Sequence, residues 1–153
     1  MIDHMTLTVR NLRSSLDFYR RSLAPLGYRV VMDFKEFVGL GDAHKPYFWL
    51  KSGPTPTQPM HIAFMAGSRA MVDAFHAAAL EAGGKDDGPP GLRENYHPNY
   101  YGAFVIDPDG HPIEAVCHQP ASPSKGETRA RKRAPAAAAR GKDKSRAKRP
   151  VGR

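Results

Sequence analysis

Ile2-Asp3-His4-Met5-Thr6-Leu7-Thr8-Val9 begins the chain, and 57 residues further on Met60-His61-Ile62-Ala63-Phe64 begins the same pattern again. In the first stretch Met5, Leu7 and Val9 alternate with His4, Thr6 and Thr8, the period-2 signature of a strand with one apolar and one polar face. Asn11 is placed to cap a helix, and Leu12, Leu16, Tyr19 and Leu23 recur at helical spacing until Pro25 and Gly27 stop the run. Short strands are expected next at residues 28–32, 37–40 and 47–51, separated by turn-forming Asp, Gly, His and Pro. The first half therefore reads β-α-β-β-β.

After a Pro/Thr/Gly linker over residues 52–59, the order restarts with a strand at 60–64 and a helix from Ser68 to about Ala82. Sliding the chain by 57 residues pairs His4 with His61, Phe18 with Phe75, Leu23 with Leu80 and Gly27 with Gly84. These identities fall at strand start, helix core and helix stop, so a duplicated module explains them better than chance does. The second copy has a Gly/Pro/Asn-rich middle at residues 85–99, expected to be a loop over a site. Its last strands are expected at 100–106 and 112–117, joined by the turn Asp107-Pro108-Asp109-Gly110. The fold class is α+β, with modules at about 1–52 and 59–118 inside a domain of residues 1–120.

The chain has 153 residues and a formal net charge of +8. That charge is unevenly spread: residues 121–153 carry 12 basic and 2 acidic side chains, whereas residues 1–120 carry 11 and 13. The basic end has no aromatic residue and little apolar content beyond Ala, so it is expected to be a disordered tail. Such a charge run permits nonspecific nucleic-acid contact, although no aromatic is interleaved for base stacking. One cysteine, Cys117, excludes an internal disulfide, and the first residues lack a secretory signal pattern, so a cytoplasmic location is expected. No apolar run approaches the roughly 20 residues that span a bilayer, so no membrane partner is expected.

Alternation puts His4 and His61 on the face opposite the helices, together with Thr6. In the last strand Ile113, Ala115 and Cys117 face the core, leaving Glu114 to point the other way. Two imidazoles and a carboxylate converging on one side suit a divalent first-row metal such as Fe, Mn, Zn or Ni, with positions open to substrate.

These residues carry a family resemblance: Asp3-His4-Met5-Thr6-Leu7-Thr8-Val9, Met60-His61-Ile62-Ala63-Phe64 and Asp107-Pro108-Asp109-Gly110-His111-Pro112-Ile113-Glu114. Residues 1 to about 118 resemble the vicinal oxygen chelate superfamily of glyoxalases, bleomycin-resistance proteins and extradiol dioxygenases. The resemblance implies two β-α-β-β-β modules forming a paired open barrel around a central cleft, a homodimer, and His4, His61 and Glu114 as metal ligands. It also implies lyase or isomerase, thiol transferase or dioxygenase chemistry on a small oxygen-rich substrate. Where glyoxalase-type isomerases commonly bring a second carboxylate, Trp49 stands in Tyr47-Phe48-Trp49-Leu50. An indole neither ligates a metal nor takes a proton, which weakens isomerisation by a carboxylate pair.

The run Tyr96-His97-Pro98-Asn99-Tyr100-Tyr101 crowds phenols and an imidazole beside a strand, so His97 and Tyr101 are candidate acid/base groups alongside Glu114. Alternation is taken to put Tyr101 with Ala103 and Val105 on the cavity face. Thr6, Tyr47, Trp49 and Tyr100 are candidate pocket residues. The same residues permit a second reading: a metal-free protein that holds or sequesters a small molecule, as bleomycin-resistance members do.

Overall fold

The computed structural model describes residues 2–54 and 58–121. Its elements are β1 (Met5–Val9), α1 (Leu12–Ser22), a 3-10 turn (Ala24–Leu26), β2 (Arg29–Asp33), β3 (Phe37–Gly41) and β4 (Pro46–Ser52), then β5 (Ile62–Met65), α2 (Arg69–Glu81), β6 (Lys85–Leu92), β7 (Tyr101–Ile106) and β8 (Pro112–Cys117). The expected tail falls on residues outside the described ones, apart from Ala121.

The duplication is visible in the strand order. Sheet 1 runs β1-β4-β3-β2 and sheet 2 runs β5-β8-β7-β6. In each, the first strand lies parallel to the last and the remaining pairs are antiparallel. In each module the helix and two further strands lie between the parallel pair, the long connection that such pairing requires. No strand pairing joins the two sheets among the described residues, so they remain two mixed sheets rather than a closed barrel.

Local signals account for the helix starts. The Asn11 side chain accepts a hydrogen bond from the Ser14 backbone N–H at 3.1 Å, and Ser68 Oγ does the same for Met71 at 3.3 Å. The buried faces of both helices meet the apolar alternation of the strands: Leu7, Val9, Phe18 and Tyr19 in the first module, Ile62, Phe64, Phe75 and Val105 in the second. Phe64 bridges the two, with its ring centre 5.3 Å from that of Phe48 and 5.4 Å from that of Tyr28.

Residues 85–99 correct the sequence expectation. Lys85–Leu92 is not loop but the outer strand of sheet 2. Its composition, Lys-Asp-Asp-Gly-Pro-Pro-Gly-Leu, carries no strand-forming pattern. It pairs all the same because the register against β7 slips between Asp86 and Gly88 and again between Gly88 and Gly91. Pro89 and Pro90, which cannot donate to a ladder, fall inside that slip on an edge strand, where they are tolerated.

Candidate functional site

His4 and His61 occupy equivalent places, each immediately before the first strand of its module. Glu114 sits in β8, in register with Ala63 of β5 on one side and Phe104 of β7 on the other. From the lead-in to β5, His61 reaches Glu114: Nε2 lies 3.0 Å from Oε2. From the residue just before β7, the Tyr100 hydroxyl donates to Glu114 Oε1 at 2.6 Å. The carboxylate is 2% exposed, and both of its oxygens are engaged. Burial, and then the hydrogen bond to Glu114, push the Tyr100 phenol up to about 12. Tyr100 therefore remains a proton donor to Glu114 across the neutral range. Gly102 makes this contact possible, since a Cβ there would stand 3.1 Å from Glu114 Oε1 and 3.3 Å from the Tyr100 ring.

His4 belongs to a different neighbourhood. Its Nδ1 lies 2.8 Å from Asp3 Oδ1, and Lys45 closes on the other Asp3 oxygen. The hydrogen bond from His4, then Lys45, hold the Asp3 carboxyl below the usual carboxylate range. Among the described residues no group of three or more His, Cys, Asp and Glu side chains is gathered closely enough to hold a metal ion. The structure brings two of the three expected ligands together and leaves His4 apart. The donor set of a single chain accordingly does not fit a three-ligand centre, because His4 is not gathered with His61 and Glu114.

Thr6 and Trp49 do meet, in a cavity of about 600 Å³ lined also by His4, Phe37, Lys45 and Lys51. They are paired directly across β1 and β4. The Trp49 and Phe37 rings, 5.7 Å apart, form an aromatic wall, with Phe34 continuing it 4.6 Å beyond Phe37. Tyr47 lines a separate cavity of about 280 Å³ between β1 and β5, and its hydroxyl donates to Asp42 at 3.2 Å.

Two acid/base candidates lie elsewhere. Tyr101 turns toward α2, where its hydroxyl donates to Asp73 at 2.7 Å, because Ala103 and Val105 on the same face of β7 are core residues. The face opposite the helix belongs to Tyr100, Gly102 and Phe104, one residue out of phase with the sequence expectation. His97 is built into the turn before β7. Its Nδ1 accepts from the Asn99 backbone, and its ring packs 5.1 Å from His118.

Sequence reasoning missed Arg93 and Phe104. The Arg93 guanidinium lies 5.4 Å from the Phe104 ring centre, and the His61 ring lies 6.3 Å from the same centre. With residues 85–99 taken as loop, nothing in the pattern could assign Arg93 a face. His111, in the turn before β8, is 1% exposed, with Nδ1 accepting from the Met60 backbone at 3.0 Å.

Comparison with known proteins agrees with this architecture. The Glyoxalase/Bleomycin resistance protein/Dioxygenase superfamily profile matches residues 1–115. A glyoxalase/bleomycin resistance protein from Albidiferax ferrireducens is 30% identical with a TM-score of 0.65, the match covering 75% of this chain and 97% of that one. A putative glyoxalase from Bacillus halodurans is 26% identical with a TM-score of 0.59, covering 76% and 95%. A lactoylglutathione lyase from Agrobacterium tumefaciens, at 18% identity and a TM-score of 0.58 over 76% and 92%, shares the fold. No functionally curated protein matches. With that profile spanning most of the chain and the module order repeated in both sheets, the chain belongs to the Glyoxalase/Bleomycin resistance protein/Dioxygenase superfamily.

Proposed function

We propose that the protein binds a small molecule without a metal, in the manner of the bleomycin-resistance members, with the ligand held in the cavity of sheet 1. The observation that carries this reading is the separation of His4, which pairs with Asp3, from the His61, Glu114 and Tyr100 cluster, so that no three ligand-type side chains gather among the described residues. The cavity supplies what a binding protein needs instead. At about 600 Å³ it is in the size range of small-molecule sites, with an aromatic wall bordered by His4, Thr6, Glu36, Lys45 and Lys51. Trp49 and Phe37 would take the flat apolar body of a ligand, and Thr6 a hydrogen bond from its edge. Assembly as a homodimer belongs to the same proposal, and the exposed Ile2, Phe34 and Met65 side chains offer apolar surface for it.

Trp49 is the only tryptophan in the chain, so its emission reports occupancy directly. Titration with 2-naphthol and with metal-free bleomycin is expected to give saturable quenching by at least one of them, unchanged by a chelator. Quenching that requires an added divalent cation would overturn the reading.

A further inference from the structure

Sheet 2 carries a second polar face that the cavity of sheet 1 does not use. We propose that the face between Arg93 and His61 binds a small anionic molecule, taking its carboxylate or phosphoryl group on the Arg93 guanidinium and a hydroxyl donor of the same molecule on His61 Nδ1.

Arg93 is built into place. Its backbone N–H donates to the Tyr100 carbonyl at 2.8 Å, and its own carbonyl accepts from Tyr96 at 2.9 Å, which fixes the turn that leaves β6. Its Nη2 donates to the Pro89 carbonyl at 2.8 Å and Nη1 to the Leu92 carbonyl at 3.4 Å. These contacts and the Phe104 ring hold the guanidinium over the sheet. At Gly91 a Cβ would come within 2.9 Å of Nη1, so the absence of a side chain there leaves room for the guanidinium. Neutral carbonyls occupy only part of a five-donor fork and cancel none of its charge. No carboxylate pairs with Arg93 among the described residues. A half-buried, oriented, unneutralised guanidinium matches an oxyanion ligand.

His61 approaches Phe104 from the opposite edge of the sheet, since β5 and β6 are its two outer strands. Tyr100 donates to one oxygen of Glu114, and the other lies 3.0 Å from His61 Nε2; an ionised carboxylate only accepts, which assigns the proton of a neutral imidazole to Nε2. That tautomer leaves Nδ1 as an acceptor on a side chain that is 54% exposed. The face thus offers an anion receptor at one end and a hydrogen-bond acceptor at the other, with the Phe104 ring between them.

Isothermal calorimetry with 4-hydroxybenzoate and 4-hydroxyphenyl phosphate tests this on the full chain. At least one is expected to bind. Arg93→Ala and Arg93→Lys should each weaken it at least tenfold, and the neutral analogue 4-hydroxybenzamide should bind at least tenfold more weakly to the unaltered protein. Benzoate or phenyl phosphate, without the hydroxyl, should lose several-fold, and that loss should vanish in His61→Ala. Binding of neither acid, equal affinity for the amide, or undiminished affinity in folded Arg93→Lys would overturn the proposal. The 2-naphthol quenching of Trp49 is read separately in the same variants, so failure here and failure of the sheet 1 reading are told apart.

Discussion

The Tyr100 hydroxyl donates to Glu114 Oε1 at 2.6 Å while His61 holds Oε2 at 3.0 Å. A carboxylate at 2% exposure is tolerable only when such partners replace water. In this chain those partners are a phenol and an imidazole from the same module.

Tyr100→Phe removes one of those partners and leaves Oε1 buried without a donor. A stability loss of about 1–3 kcal/mol is expected, read from chemical denaturation. The Tyr100 phenol is raised in the folded state to about 12 from an ordinary 10.0. For a group shifted upward, the contribution is full below the unfolded value and fades as pH rises through the folded one. The unaltered protein should therefore lose stability between about pH 10 and 12 more steeply than Tyr100→Phe does.

Tyr19→Phe tests the link between modules. The Tyr19 hydroxyl, on α1, donates to Asp107 Oδ2 at 2.6 Å, and the neighbouring Asp109 accepts from Ser15 Oγ at 2.8 Å. Burial, then the charge of Asp107, push the Tyr19 phenol well above its ordinary range. Removing the hydroxyl strands a buried carboxylate oxygen, so a loss of about 1–3 kcal/mol is expected at neutral pH. Denaturation midpoints of the variant and the parent check it, and an unchanged midpoint would contradict the role assigned to this contact.

Phe64→Ala should cost about 3–5 kcal/mol. Phe64 is 6% exposed and joins Tyr28 and Phe48 of the first module to the core of the second. Thermal unfolding followed by circular dichroism is expected to show a large drop in midpoint.

Trp49→Leu keeps an apolar side chain in β4 but removes the flat wall beside Phe37. Affinity for 2-naphthol, measured by equilibrium dialysis because the fluorophore is lost, is expected to fall at least fivefold. Equal affinity would place the ligand outside the sheet 1 cavity.

Much of the fold was legible because its signals are local and repeated. Asn11 and Ser68 mark helix starts by their own chemistry, and Leu7, Val9, Ile62 and Phe64 announce their faces by alternation. The strand at Lys85–Leu92 was not legible, since its pairing comes from β7 and from slips in register rather than from its own residues. The same gap hid Arg93. In β7 the parity of Tyr100 and Tyr101 was misread for want of an anchor, although Ala103 and Val105, small and apolar, mark the side that packs on α2. His4, His61 and Glu114 were legible as residues worth following. Tyr100 was legible as a pocket residue, but its pairing with Glu114 and that of Asp3 with His4 were not, because side-chain pairing depends on geometry that a one-dimensional pattern does not contain.

The most direct test is metal stoichiometry on the purified full chain. After anaerobic incubation with Fe(II), Mn(II), Zn(II) or Ni(II) and removal of free ion, less than about a tenth of an equivalent should remain with the protein, since no three His, Cys, Asp or Glu side chains are gathered among the described residues. Retention of about one equivalent, lost in Glu114→Gln and in His4→Ala alike, would contradict the account and return the chain to metal-dependent chemistry.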